Sequence, residues 1–116
     1  MSHQTQDTSL LAYYGEVMET IGDKHRAVLK VFGMNPYRDF TNGELAEELS
    51  WPINTVTPRV YELRGMDEKV AVDPDNPILI HTQTRKCGIT HRTAMAWGMN
   101  PEYKRSGYKL WKEMRK

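Results

Sequence analysis

Thr41-Asn42-Gly43-Glu44-Leu45-Ala46-Glu47-Glu48-Leu49-Ser50-Trp51-Pro52-Ile53-Asn54-Thr55-Val56-Thr57-Pro58-Arg59-Val60-Tyr61-Glu62-Leu63-Arg64 is the stretch that decides the fold. Its first four residues read as a capping box. The Thr41 hydroxyl can accept from the third helical amide while Glu44 reaches back to the cap. A short helix is expected over 44–49, with Leu45 and Leu49 inward, and Ser50-Trp51-Pro52-Ile53 reads as a tight turn. A longer helix then runs from about Asn54 to Arg64 and stops at Gly65. Val56, Val60 and Leu63 fall at i, i+4 and i+7, which puts them on one inward stripe. Ala46 is small enough to sit where the two helices touch.

Two short helices at a steep angle, a brief turn and a second helix with one free face are what a helix-turn-helix requires. The free face carries Asn54, Thr57, Pro58 and Tyr61, with Arg59 and Arg64 on its flanks and Thr55 as a further candidate contact. Asn can read adenine through two hydrogen bonds, Thr can meet a base edge or a thymine methyl, and Tyr and Arg can reach phosphates. Asn54 serves equally well as a helix cap. Pro58 is either the fifth position of a helix that starts at Asn54 or an interior residue bending one that starts at Pro52.

Working toward the N-terminus, Thr8 or Ser9 can cap a helix to about Thr20 whose apolar stripe is Leu10, Leu11, Tyr14, Val17, Met18 and Ile21. Gly22-Asp23 breaks it, and Asp23 can cap a second helix from Lys24 to about Phe32. Gly33-Met34-Asn35-Pro36 supplies the stop. Beyond Gly65 the period changes. Lys69-Val70-Ala71-Val72 reads as a short strand, Asp73 to Pro77 as a turn, and Ile78-Leu79-Ile80 as strand again. Thr82 to Thr90 is polar and basic, and Thr93 to Trp97 alternates as a returning strand. The expected architecture is therefore mainly α with a small β-ribbon, an α+β domain over residues 8–100. It has a three-helix core and an extra N-terminal helix, with the helix-turn-helix at 41–64 and the ribbon at 69–98. A basic aromatic tail follows at 101–116.

Trp51 to Arg64, followed in order by Arg85-Lys86-Cys87-Gly88-Ile89-Thr90-His91-Arg92-Thr93-Ala94-Met95-Ala96-Trp97, resembles small winged-helix proteins of bacteriophages and prophages. The resemblance spans roughly residues 9–98. It implies a winged helix-turn-helix with 54–64 as recognition helix and Arg85–Arg92 as wing. It further implies double-stranded DNA as partner and says less about biological role; the first reading is a phage-type or bacterial transcriptional regulator, expected in the bacterial cytoplasm. Asp73 to Thr82 departs from the pattern as an insertion lengthening the wing, and the tail after Met99 is extra. With Arg85, Lys86, His91 and Arg92 at the ribbon tip, the candidate contacts are those four plus Asn54, Thr55, Thr57, Pro58, Arg59, Tyr61 and Arg64. Cations there can follow a phosphate backbone or enter a minor groove.

The bulk numbers agree with a binding module. The 116 residues have a net charge of +1, and that sum hides a split. Residues 1–84 hold 7 Lys/Arg against 13 Asp/Glu, whereas residues 85–116 hold 9 against 2. A basic segment of this kind suits a polyanion; the two segments could also simply neutralise each other. No apolar run reaches the roughly 20 residues that span a bilayer, so no membrane partner is expected. The polar start lacks a basic and an apolar region, so a signal peptide is not expected there. One cysteine, Cys87, fits a reducing compartment and could have a lowered pKa beside Arg85 and Lys86. Four histidines (His3, His25, His81, His91) show no metal-ligand spacing, and no phosphate-cradling loop or nucleophile motif occurs. Neither enzyme activity nor a cofactor or metal is expected. Trp51, Trp97, Met95 and Met99 read as core or turn packing.

Against DNA stand Glu44, Glu47 and Glu48, crowded on the first helix of the motif. A winged helix docking on a protein in phage assembly or host takeover is therefore the second reading. The tail, with Leu110, Trp111 and Met114 among six cations, can add salt-sensitive DNA affinity or dock on a protein partner. The helix over 9–20 can pair two copies into a homodimer or cover the domain's own core.

Overall fold

A computed structural model describes residues 3–103, with side chains described from Ala12 onward. The order is α1 (His3–Thr20), α2 (Asp23–Met34), β1 (Phe40–Thr41), α3 (Asn42–Leu49), α4 (Ile53–Leu63), β2 (Leu79–Lys86) and β3 (Thr93–Met99). The three strands form one antiparallel sheet in the order β1-β3-β2. No described helix is long and apolar enough to cross a membrane.

The apolar stripes read from sequence meet in one core. Tyr14, Val17, Met18 and Ile21 of α1 pack with Val28, Leu29 and Phe32 of α2, Leu45 of α3, and Val56, Val60 and Leu63 of α4. The stripe of α1 is thus spent on the domain's own core; Leu10 and Leu11 lie outside the described side chains. Tyr103 closes this end, with its ring edge-on to Tyr14 at 5.0 Å and its hydroxyl 3.2 Å from Met18 Sδ. The rest of the tail lies outside the described residues.

Several boundaries shift for local reasons. Gly22, not Asp23, caps α2, and its amide donates to His25 Nδ1 at 3.1 Å. Gly33 does not end α2, which continues to Met34 before Asn35 caps it. β1 carried no sequence signal, since two residues show no period. It pairs Phe40 with Trp97 and Thr41 with Ala96, and so ties the start of α3 to the sheet. Val70-Ala71-Val72 forms no strand and turns Val72 into the core instead. Residues 73–77 do not lengthen the hairpin. They lie before β2, where the Asp73 amide donates to the Tyr13 hydroxyl and Asp75 N–H bonds back to Asp73. Strand β2 runs on through residues read as loop and reaches Lys86, with a bulge at Thr82 between His81 and Gln83.

Candidate nucleic-acid interface

The capping box forms as read: Glu44 N–H donates to Thr41 Oγ1 at 3.2 Å and Thr41 N–H to Glu44 Oε1 at 3.0 Å. Helix α3 ends at Ser50 in the left-handed region, φ 56°, and Trp51 N–H returns to Ala46 C=O at 3.0 Å. Pro52 then caps α4 with its backbone, accepting from Thr55 at 3.0 Å and Val56 at 3.4 Å. Asn54 is therefore not the cap. It stands in the first turn, exposed, with no side-chain partner among the described residues. Pro58 is interior to α4, and its missing N–H leaves the Asn54 carbonyl without its i+4 donor.

On α4, Asn54, Thr57, Pro58 and Tyr61 are exposed and Thr55 half-buried, as the stripe Val56, Val60, Leu63 requires. Thr57 Oγ1 donates to Ile53 C=O at 3.0 Å and faces Asn42 Nδ2 at 3.4 Å. The two flanking arginines are occupied. Arg59 Nε lies 2.7 Å from Glu62 Oε1 and its Nη2 donates to Glu62 Oε2 at 3.4 Å, while Oε1 also lies 2.9 Å from His25 Nε2. Arg64 stacks on the Trp97 ring at 4.3 Å. Trp97 is the hub of this corner, because its Nε1–H also donates to Asn42 Oδ1 at 2.9 Å.

The four basic residues at the ribbon tip do not form one free cluster. Lys86 ends β2, while His91 and Arg92 belong to the turn that joins it to β3. These three side chains are exposed and have no polar partner among the described residues. His91 sits in the left-handed region at φ 61°. Arg85 is turned inward. Its Nη1 and Nη2 donate to the two Glu44 carboxylate oxygens at 2.8 and 2.6 Å, and its Nε to Asp39 Oδ1 at 3.1 Å. A guanidinium held by two carboxylates has little left for a phosphate, which removes Arg85 from the contact set.

Glu44 completes the bridge by accepting from Gly88 N–H at 2.8 Å. Arg85 above all, then the Thr41 and Gly88 amides, hold its carboxyl down at about 2 against the cost of burial. Burial likewise opposes ionisation of Asp39, but hydrogen bonds from Gln83, Thr82 and Arg85 outweigh it and lower its pKa. Glu44 is thus buried and neutralised, while Glu47 and Glu48 remain exposed.

Cys87, read as a loop thiol, is buried beneath the turn, where Thr41 Oγ1 donates to its sulfur at 3.0 Å. Burial alone would raise this thiol. Hydrogen bonds from Thr41, Thr90 and the Ile89 amide bring it down to about 7, so those bonds, and not the neighbouring cations, set the shift. A Cβ on Gly43 would come within 3.1 Å of this sulfur and 3.3 Å of Thr90. The hairpin tip is therefore docked on the N-terminus of α3, and Asn42 and Gly43 separate Thr57 on one side from Thr90 on the other. Met95, read as packing, is 45% exposed, as are Ile53 at 48%, Tyr61 at 47% and Ile89 at 46%. No three His, Cys, Asp or Glu side chains converge as metal ligands among the described residues. No family model matches this chain, nor does any curated protein or solved structure.

Proposed function

We propose that this chain is a winged helix-turn-helix that binds double-stranded DNA, with α4 in the major groove and the β2–β3 turn on the flanking backbone. The supporting observation is the exposed face of α4 joined, across Asn42 and Gly43 at the start of α3, to a hairpin tip whose Lys86, His91 and Arg92 have no polar side-chain partner among the described residues. The element order, with β1 before the helix pair and a hairpin after it, suits this reading. Asn54, Thr57 and Tyr61 supply base-edge and phosphate chemistry, with Thr55 and Pro58 as neighbours in van der Waals range. Lys86 and Arg92 supply charge. Arg59, Arg64 and Arg85 support the surface from behind. Transcriptional regulation in a bacterial host is the role we attach to such duplex binding.

The test is a fluorescence-anisotropy titration with mixed-sequence duplex at two salt concentrations. Wild type is expected to bind with a steep salt dependence. Lys86→Ala/Arg92→Ala should flatten the log–log salt slope by about 2, one per phosphate contact. Asn54→Ala/Tyr61→Ala should weaken binding at either salt concentration. Absence of binding at low salt, or binding untouched by both variants, would remove the DNA reading. A second reading has its own support. Ile53, Tyr61, Ile89 and Met95 are exposed, and so are Glu47 and Glu48, a composition that also suits a protein partner. That reading gains if DNA fails and Tyr61→Ala abolishes a pairwise complex.

A further inference from the structure

A groove of about 820 Å³ opens between α2, the 35–39 segment and the outer part of the sheet, and no residue of α4 or of the β2–β3 turn lines it. Its size falls within the ~300–1,000 Å³ of small-molecule sites. The apolar side comes from Ala27 and Phe32 of α2, Met99 of β3 and Tyr103. Three cations and two acids also line it, and their pairing decides the free charge. Asp39 is consumed by Arg85, Thr82 and Gln83. Asp23 stands 3.9 Å from Arg26. That leaves Lys30 exposed and without an ion pair among the described residues, and Arg38 exposed with its guanidinium 4.4 Å from the Phe40 ring centroid. Arg26 bonds Met18 C=O at 2.7 Å, yet its buried Nε–H finds no aligned acceptor.

We propose that this groove is a binding site for an apolar organic anion, a compact hydrocarbon or aromatic body bearing one acidic group. The body lies on Phe32 and Met99 and the acid turns to Lys30, Arg38 and Arg26. This site stands independently of the DNA reading, because the two share no residue.

Gly33 makes it testable without unfolding the protein. It lies within α2, and a Cβ there would meet only Met99 Cε, at 3.9 Å. Gly33→Leu therefore puts a branched side chain into the groove, against Met99, while adding helix propensity. The probe is 1-anilinonaphthalene-8-sulfonate, added to the full chain. Saturable one-site fluorescence is expected, weakened tenfold or more in Lys30→Glu/Arg38→Glu, lost in Gly33→Leu and unchanged in Lys86→Ala/Arg92→Ala. Amide shifts on probe binding should centre on Ala27, Gly33 and Gly98 in all folded forms that bind. Non-saturating fluorescence, or full binding by a Gly33→Leu protein whose melting curve is intact, overturns the proposal. So does concentration-dependent self-association in sedimentation that Gly33→Leu abolishes, which would give the groove to a second copy of the chain.

Discussion

Four donors converge on the Glu44 carboxylate, from Thr41 N, Gly88 N and both terminal nitrogens of Arg85. Replacing it by Gln keeps the shape and discards the charge, leaving a half-buried guanidinium with Asp39 alone. A loss of about 2 kcal/mol in denaturant melts at pH 7 is expected, below the full cost of breaking a wholly buried pair because Arg85 keeps some solvent. The same group sets a pH dependence. Its carboxyl titrates near 2 in the folded protein against an ordinary 4.5, so its stabilisation is complete above pH 4.5 and drains away as pH falls toward 2. Asp39, also lowered, adds in the same direction. Wild type should lose stability between pH 5 and 3 more steeply than Glu44→Gln. Sequence alone could assign Glu44 to the cap, because Thr41 is three residues away. Its pairing with Arg85 spans 41 residues, and no local pattern encodes a partner that far along the chain. For that reason Arg85 read as a free wing cation.

Helices were legible where apolar spacing repeats, and strands were not where they are short. Val56, Val60 and Leu63 located α4 and its free face, but Phe40-Thr41 is a strand only because Trp97 and Ala96 lie beside it. Val70 to Val72 has β-type residues and no neighbour to pair with. At the end of α4 the backbone turns through Gly65 at φ 77°, with a would-be Cβ only 2.7 Å from Pro74 N. Gly65→Ala must strain that φ and push the 73–74 backbone away. A cost of about 2 kcal/mol or more is expected in thermal or denaturant unfolding. Within α4, Pro58→Ala restores a donor for the Asn54 carbonyl. It should raise stability by about 1–2 kcal/mol, part of the gain being returned through a freer unfolded chain. If the proline serves the interface, that gain comes with altered duplex binding in the same anisotropy titration.

At the scale of the whole molecule, the charge split read from sequence is partly closed by folding. Arg85 of the basic segment reaches back to Asp39 and Glu44 of the acidic one, while Lys86 and Arg92 stay outside. The hairpin tip is consequently a docked element, held by one ion-pair cluster and one buried thiol. That thiol is the chain's sole cysteine and is 1% exposed, so alkylation by iodoacetamide must wait for the tip to lift from α3. The labelling rate then follows the lifted population. Each 1.36 kcal/mol removed from the docking raises the lifted population about tenfold, so Glu44→Gln should label many times faster than wild type while Asn54→Ala labels at the wild-type rate. The protein carries its own clock for the motion of its hairpin.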